Sequence, residues 1–315
     1  MTVKKQTYKL IANTIVLLSI VFLVVYLHQT EQFVWLKIKS LFLFALSIIF
    51  ILAGFLMESL ALRIFMRKDS INFSYKESVI ITGRFILTKY IPGKLGMIVG
   101  KASYLKDKTE KETKIILQDL FFFQVLILIG AMITSIIPLF TYLKSNNQSL
   151  LFWILGIILL VIIGTQKNIQ NFLITKLNKI FKNNLLTNVP PKTLYSVLAL
   201  LVLNFTIWSI GFYIMAASLG IEIDVSNGFL FAFAAFVGVI VLIAPGGLGV
   251  REGIIVAGLV FYGLPEKEAI SLSAFSRIWF LGGELLIFLI SVLLMKIRRK
   301  ILFINNSKNQ NIITQ

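Results

Sequence analysis

The sequence predicts an all-α polytopic membrane protein, with six full transmembrane helices and two re-entrant, broken helical hairpins arranged as an inverted repeat. Three observations lead there: too little charge for a soluble domain, a succession of long apolar runs, and two matching Pro-Gly clusters that interrupt apolar stretches. The 315 residues are 57% apolar and 14% charged, where a soluble domain carries about 25% charged residues. Mean hydropathy is +0.89. Cysteine is absent and His28 is the single histidine, which rules out a disulfide framework or thiolate metal site and argues against a His-based metal centre or a Ser-His-Asp triad. No metal and no cofactor is expected.

A helix needs about 20 apolar residues to cross the hydrocarbon core. The segments near 10–27, 41–62, 115–142, 150–164, 194–219 and 271–295 qualify, 150–164 being the short one. The first follows Lys4, Lys5 and Lys9, as a signal peptide would, but no small-x-small cleavage site comes after it, so an uncleaved span is expected. Two further stretches are interrupted, 79–100 at Pro92-Gly93-Lys94-Leu95-Gly96 and 228–262 at Pro245-Gly246-Gly247-Leu248-Gly249. Proline removes a backbone donor and glycine weakens helix, so each cluster ends one half-helix and lets another begin. Either arm alone is too short to cross, and a hairpin that returns to its own side is expected.

Charge sets the orientation. With the N-terminus inside and both broken stretches returning, the outer loops hold only Lys37, Lys39, Lys144 and Lys267. The other basic residues outside the membrane then lie inside, as the positive-inside rule requires. The formal charge of +17 is thus a topology signal. It calls for no nucleic acid, and the basic inner face attracts anionic headgroups. Both termini are expected to be cytoplasmic and the membrane to be the plasma membrane.

The clusters PGKLG and PGGLG are each followed by an apolar arm, a polar turn (Thr109-Glu110-Lys111-Glu112, Pro265-Glu266-Lys267-Glu268) and a long span. Three crossings per half invert the second half against the first. The expected organisation is one membrane domain over 1–315, with repeats 10–142 and 150–295 and a basic, polar tail at 296–315. Matching interrupted segments in two inverted halves point to a midplane site between them.

Ionisable groups in hydrocarbon cost about 2.5–3.5 kcal/mol on insertion scales and usually face a cavity or each other. Here they are Glu58, Arg84, Lys89, Lys94, Asp119, Arg251, Glu252, Arg277 and Glu284. Arg251 and Glu252 follow the second cluster in the first turn of a half-helix, where free N–H groups and the dipole suit phosphate. Headgroup binding is therefore assigned to Pro92, Gly93, Lys94, Gly96, Pro245, Gly246, Gly247, Gly249, Arg251 and Arg277. Glu252 and Glu284 are gating or proton-coupling candidates. Arg277 and Glu284 are seven residues apart, two helical turns, and share a face. Structural roles compete: an Arg251–Glu252 pair, Glu252 orienting Arg277, Glu284 paired to a neighbouring helix. Arg84 and Lys89 are expected to snorkel to the inner surface, Asp119 to serve its helix N-terminus, and Glu58 to pair locally with Arg63.

The stretches Lys89-Tyr-Ile-Pro-Gly-Lys-Leu-Gly96 and Ala244-Pro-Gly-Gly-Leu-Gly-Val-Arg-Glu-Gly253, with Arg277 downstream, resemble the flippase-like transmembrane domain of the lysylphosphatidylglycerol synthase family. The resemblance runs over about 10–300 and implies a flippase-type role for a phospholipid or a related anionic or polyprenyl-linked lipid. It does not imply lysyl transfer, because aminoacylating members carry a large soluble domain after the membrane part. Many relatives place an acid after the second glycine of the first motif, where this chain has Met97.

Three functions remain open. An anionic-lipid transporter, not an enzyme, fits the repeat and the interior charges. No G-x-x-x-x-G-K-[ST] motif is present. A membrane transferase acting on a lipid-linked donor would use Glu222 and Asp224 to hold a metal and diphosphate. A non-catalytic membrane subunit would use the glycine clusters for packing alone.

Overall fold

Ser40 opens the first described helix, α1 (Leu41–Met66), by accepting the Leu43 N–H at 3.3 Å. The computed structural model describes residues 36–90, 95–138, 189–240, 247 and 249–313. The expected spans 10–27 and 150–164, and residues Pro92, Gly93, Lys94, Pro245 and Gly246, lie outside the described residues. The other described helices longer than two turns are α2 (Tyr75–Phe85), α3 (Leu95–Lys106), α4 (Thr113–Thr134), α5 (Pro191–Ser218), α6 (Leu230–Ile240), α7 (Val250–Phe261) and α8 (Glu266–Ile313). No strand occurs among the described residues. Four helices are long and apolar enough to cross a membrane: Leu41–Asp69, Thr113–Pro138, Pro191–Ser218 and Glu266–Ile297. Each coincides with a span expected from hydropathy.

The centre of the fold is the pair α1–α5. It is antiparallel: Ser40 N–H donates to Ser218 O at 3.1 Å, and Trp208 Nε1 donates to Ile51 O at 3.0 Å. Trp208 lies directly over Gly54, where no Cβ has room. Pro191 begins α5 at a position that needs no donor. Around this pair Phe55, Phe212, Phe231, Trp279 and Phe280 form one apolar cluster, and Leu62, Phe65, Leu105, Ile116 and Phe123 form a second. Leu41, Phe42, Ile278, Leu289 and Leu293 are exposed, the outward face expected where lipid is the solvent.

Both interrupted stretches are broken and fold back. In the first, α2 gives way to a 3-10 turn, Ile86–Tyr90, and α3 begins at Leu95. Glu77 in the first turn of α2 is ion-paired with Lys108, just past α3, so the end of the stretch lies beside its beginning. In the second, α6 ends at Ile240 and α7 begins at Val250. A Cβ on Gly258, late in α7, would sit 2.7 Å from the Leu230 side chain at the start of α6. Each hairpin packs on the other half of the chain: α2 on α8, and α6 on α4. Gly83 lets α2 approach α8, since a Cβ there would meet the Ile287 carbonyl oxygen at 2.5 Å.

α8 runs as one 48-residue helix from Glu266 to Ile313, so 296–313 continues the last span as helix. No proline or glycine interrupts that segment, and helix once started adds residues at little cost.

Candidate functional site

Glu284 is fully buried in the apolar part of α8. Its Oε1 is ion-paired with Lys89 Nζ, and its Oε2 accepts the Tyr90 hydroxyl proton at 2.8 Å. Lys89 and Tyr90 end the 3-10 turn of the first hairpin, immediately before its Pro-Gly cluster. One carboxylate on the last span therefore grips the bend of a hairpin from the opposite half.

Arg251 enters from the second hairpin. It lies on the buried face of α7 with Ile255 and Leu259 and is 7% exposed. Its guanidinium is held between two rings, 4.2 Å from the Phe231 centroid and 4.7 Å from the Phe280 centroid. Desolvated cation–π contacts of this kind are worth about 2 kcal/mol. The rings hold the charge in place, and one guanidinium nitrogen, NH2, is buried without a hydrogen-bond partner among the described residues. Leaving such a donor unmade costs about 1–3 kcal/mol, so this nitrogen is available to an acceptor beyond those the described residues supply.

Shared rings join the three cations. Lys89 Nζ lies 5.3 Å from the Phe280 centroid, on the ring that also carries Arg251. The Tyr90 ring has Lys89 at 5.4 Å and Arg277 at 5.4 Å. Arg277 NH1 is 3.6 Å from Glu252 Oε1. Glu252 Oε2 accepts the Gly249 N–H at 2.7 Å, and its backbone carbonyl accepts the Ser273 hydroxyl at 3.0 Å. Glu252 thus fixes the start of α7 and ties it to α8.

The glycines explain how the backbone reaches this spot. Gly247 and Gly249 have φ of 74° and 80°, a region that costs other residues about 1–2 kcal/mol. A Cβ on Gly247 would lie 3.2 Å from the Gly238 Cα. The two arms of the second hairpin therefore touch backbone to backbone.

Of the residues selected from sequence, Arg251, Glu252, Arg277 and Glu284 come together, with Gly247 and Gly249 at the start of α7. Gly96 lies in the first turn of α3. Arg251 and Glu252 do not pair with each other. Successive helical residues diverge too far to meet, and Arg251 turns to the rings while Glu252 turns to Gly249 and Arg277. Lys89 does not snorkel, because Glu284 holds it. Arg84 is exposed and its NH1 reaches Met295 Sδ at 3.1 Å. Asp119 does not cap α4: it is buried, and its Oδ1 accepts from Lys68 Nζ at 2.6 Å. Glu58 has Lys101 Nζ at 3.9 Å, whereas Arg63 Nε donates to Phe73 O at 3.0 Å. Glu222 and Asp224 are exposed, and among the described residues no cluster of acidic or histidine side chains suits a metal.

Tyr90, Phe231 and Phe280 were missed as site residues. Phe280 was findable: it is three residues after Arg277 and four before Glu284, on their face of the helix.

Long apolar helices closing over a buried, mixed-charge interior define a multi-pass integral membrane protein. More specifically, the family described as lysylphosphatidylglycerol synthase TM region matches residues 10–281, and the chain belongs to that family. Membership relates the protein to lipid handling. Comparison with curated proteins and with solved structures gives no match.

Proposed function

We propose that the protein is a flippase-type transporter that binds an anionic lipid headgroup in the membrane interior and moves it across the cytoplasmic membrane. The observation that carries this reading is Arg251. A guanidinium is clamped out of water between two rings with a buried donor unfilled, beside Lys89 and Arg277. A phosphate oxygen is the acceptor that fits, since guanidinium binds phosphate through paired N–H groups.

The fold supports alternating access between inverted halves. Equivalent second spans of the two halves, α1 and α5, pack antiparallel, as an in-plane two-fold axis requires. The hairpins are re-entrant in this reading, the first from inside and the second from outside, and each packs on the other half's last span. Both termini are cytoplasmic. No enzymatic step and no cofactor is invoked. Rocking one half against the other exposes the charged centre to each side in turn.

The test is lipid translocation in reconstituted vesicles. Fluorescent phosphatidylglycerol should exchange leaflets faster with the protein than without it, and Arg251→Gln should slow that exchange about tenfold, the loss of one charge-assisted contact. An Arg251→Gln variant at the wild-type rate, or a wild-type rate equal to protein-free vesicles, defeats the reading. Topology has its own check. The chain lacks cysteine, so single cysteines at Lys108 and Asn183 should label from inside, and at Asn146 and Asp224 from outside.

A further inference from the structure

The charges of the site do not balance. Lys89, Arg251 and Arg277 supply three positive groups around the Tyr90 and Phe280 rings, and Glu252 and Glu284 supply two negative ones. Further along the first hairpin, Lys101 is buried against its own acid, Glu58. Among the described residues the centre therefore carries one positive charge in excess. In a low-dielectric interior an uncompensated charge is costly and a complex of net zero charge is favoured.

We infer that the site is built to select a headgroup bearing one negative charge, a phosphodiester, over one bearing two, a phosphomonoester or diphosphate, and that Glu284 sets this number. The inference rests on the proposed lipid-binding role and names the substrate class within it. A phosphodiester neutralises the centre with Glu284 still in place. A doubly charged group leaves the centre net negative, with its second charge close to the Glu284 carboxylate and repelled by it. Glu284 acts in two ways: it holds Lys89 and Tyr90 at the bend, and it uses up one cation that a second phosphate charge would need. Arg251 is the group that meets the phosphate: its NH2, held between the two rings, has no hydrogen-bond partner among the described residues, and Glu284 has taken Lys89 and Tyr90.

The experiment compares two probes with identical acyl chains, phosphatidylglycerol with one charge and phosphatidic acid close to two at pH 8. Each competes against a fluorescent lipid for the full-length protein in nanodiscs. Wild type should prefer phosphatidylglycerol by about tenfold, a conservative share of one unit-charge interaction at this range. Glu284→Gln raises the excess to two and should reverse the preference. Glu284→Gln combined with Lys89→Gln returns the excess to one and should restore it, and removing both partners avoids a stranded buried charge.

A wild type that prefers phosphatidic acid or does not discriminate overturns the inference while the lipid-binding reading stands. So does a double variant that behaves like Glu284→Gln alone. Binding of neither lipid overturns both.

Discussion

The two broken hairpins have the same outline but are held by different forces. The first is held by charge. Lys89 is paired with Glu284, Lys101 lies near Glu58 and Lys108 is paired with Glu77, so the bend, the returning arm and its end are each anchored by a lysine on a carboxylate. The second is held by close packing. Gly247 rests on Gly238, Gly258 on Leu230, and Tyr262 donates to the Pro138 carbonyl at 2.5 Å. Its one buried cation, Arg251, is clamped by rings and spared a carboxylate of its own. Ion pairs can exchange partners with an incoming anion, whereas interlocked backbone cannot. The first hairpin is thus the one whose bend can respond to an anionic ligand, and the second is the fixed wall that presents Arg251.

The largest effect that could break this contrast is at Glu284. Glu284→Ala strands Lys89, and breaking a buried pair from one side costs about 3–5 kcal/mol. The double replacement by Met should recover most of that loss, measured as thermal unfolding in detergent. If the single and double variants unfold alike, the bend is not held by charge.

Next comes Gly247→Val, which meets both a left-handed backbone and the Gly238 contact. About 1–3 kcal/mol is expected from the backbone alone. Gly249→Ala, with a similar φ but nothing within 4 Å of its Cβ position, should cost less than Gly247→Val. Equal losses would mean that strain matters and the glycine–glycine contact does not.

The smallest effect is at the open end of the first hairpin, away from its bend. Glu77→Gln should cost at most about 1 kcal/mol, as partly exposed pairs do. That difference should shrink as salt is raised toward 1 M. A loss that ignores salt would argue that packing, not charge, closes the hairpin there.

These contrasts also show what the sequence could and could not reveal. Hydropathy located α1, α4, α5 and the apolar part of α8, because length and apolar content decide what can cross a bilayer. The Pro-Gly clusters located both breaks, because proline and glycine act on the backbone where they stand. Arg277, Glu284 and Arg251 were legible as interior charges. Their partners were not. Lys89 and Glu284 are 195 residues apart, and Lys68 and Asp119 are 51 apart. Nothing local in either sequence neighbourhood names the other. Lys89 looks like a snorkelling lysine until the bend that carries it is folded under α8. Local reasoning erred in the same direction at Glu58 and Asp119, where the nearest candidate in sequence was preferred to one brought near by folding.

The unbroken helix α8 has a mechanical consequence. Its 48 residues make a rod about 72 Å long at 1.5 Å per residue, against a hydrocarbon core of about 30 Å. Glu284 sits partway along, and Ile313 is at the far tip. A tilt of 10° about Glu284 would sweep that tip through about 8 Å. Any rearrangement at the ion pair would therefore be amplified outside the bilayer, where a spin label or a fluorophore could follow it without touching the membrane interior.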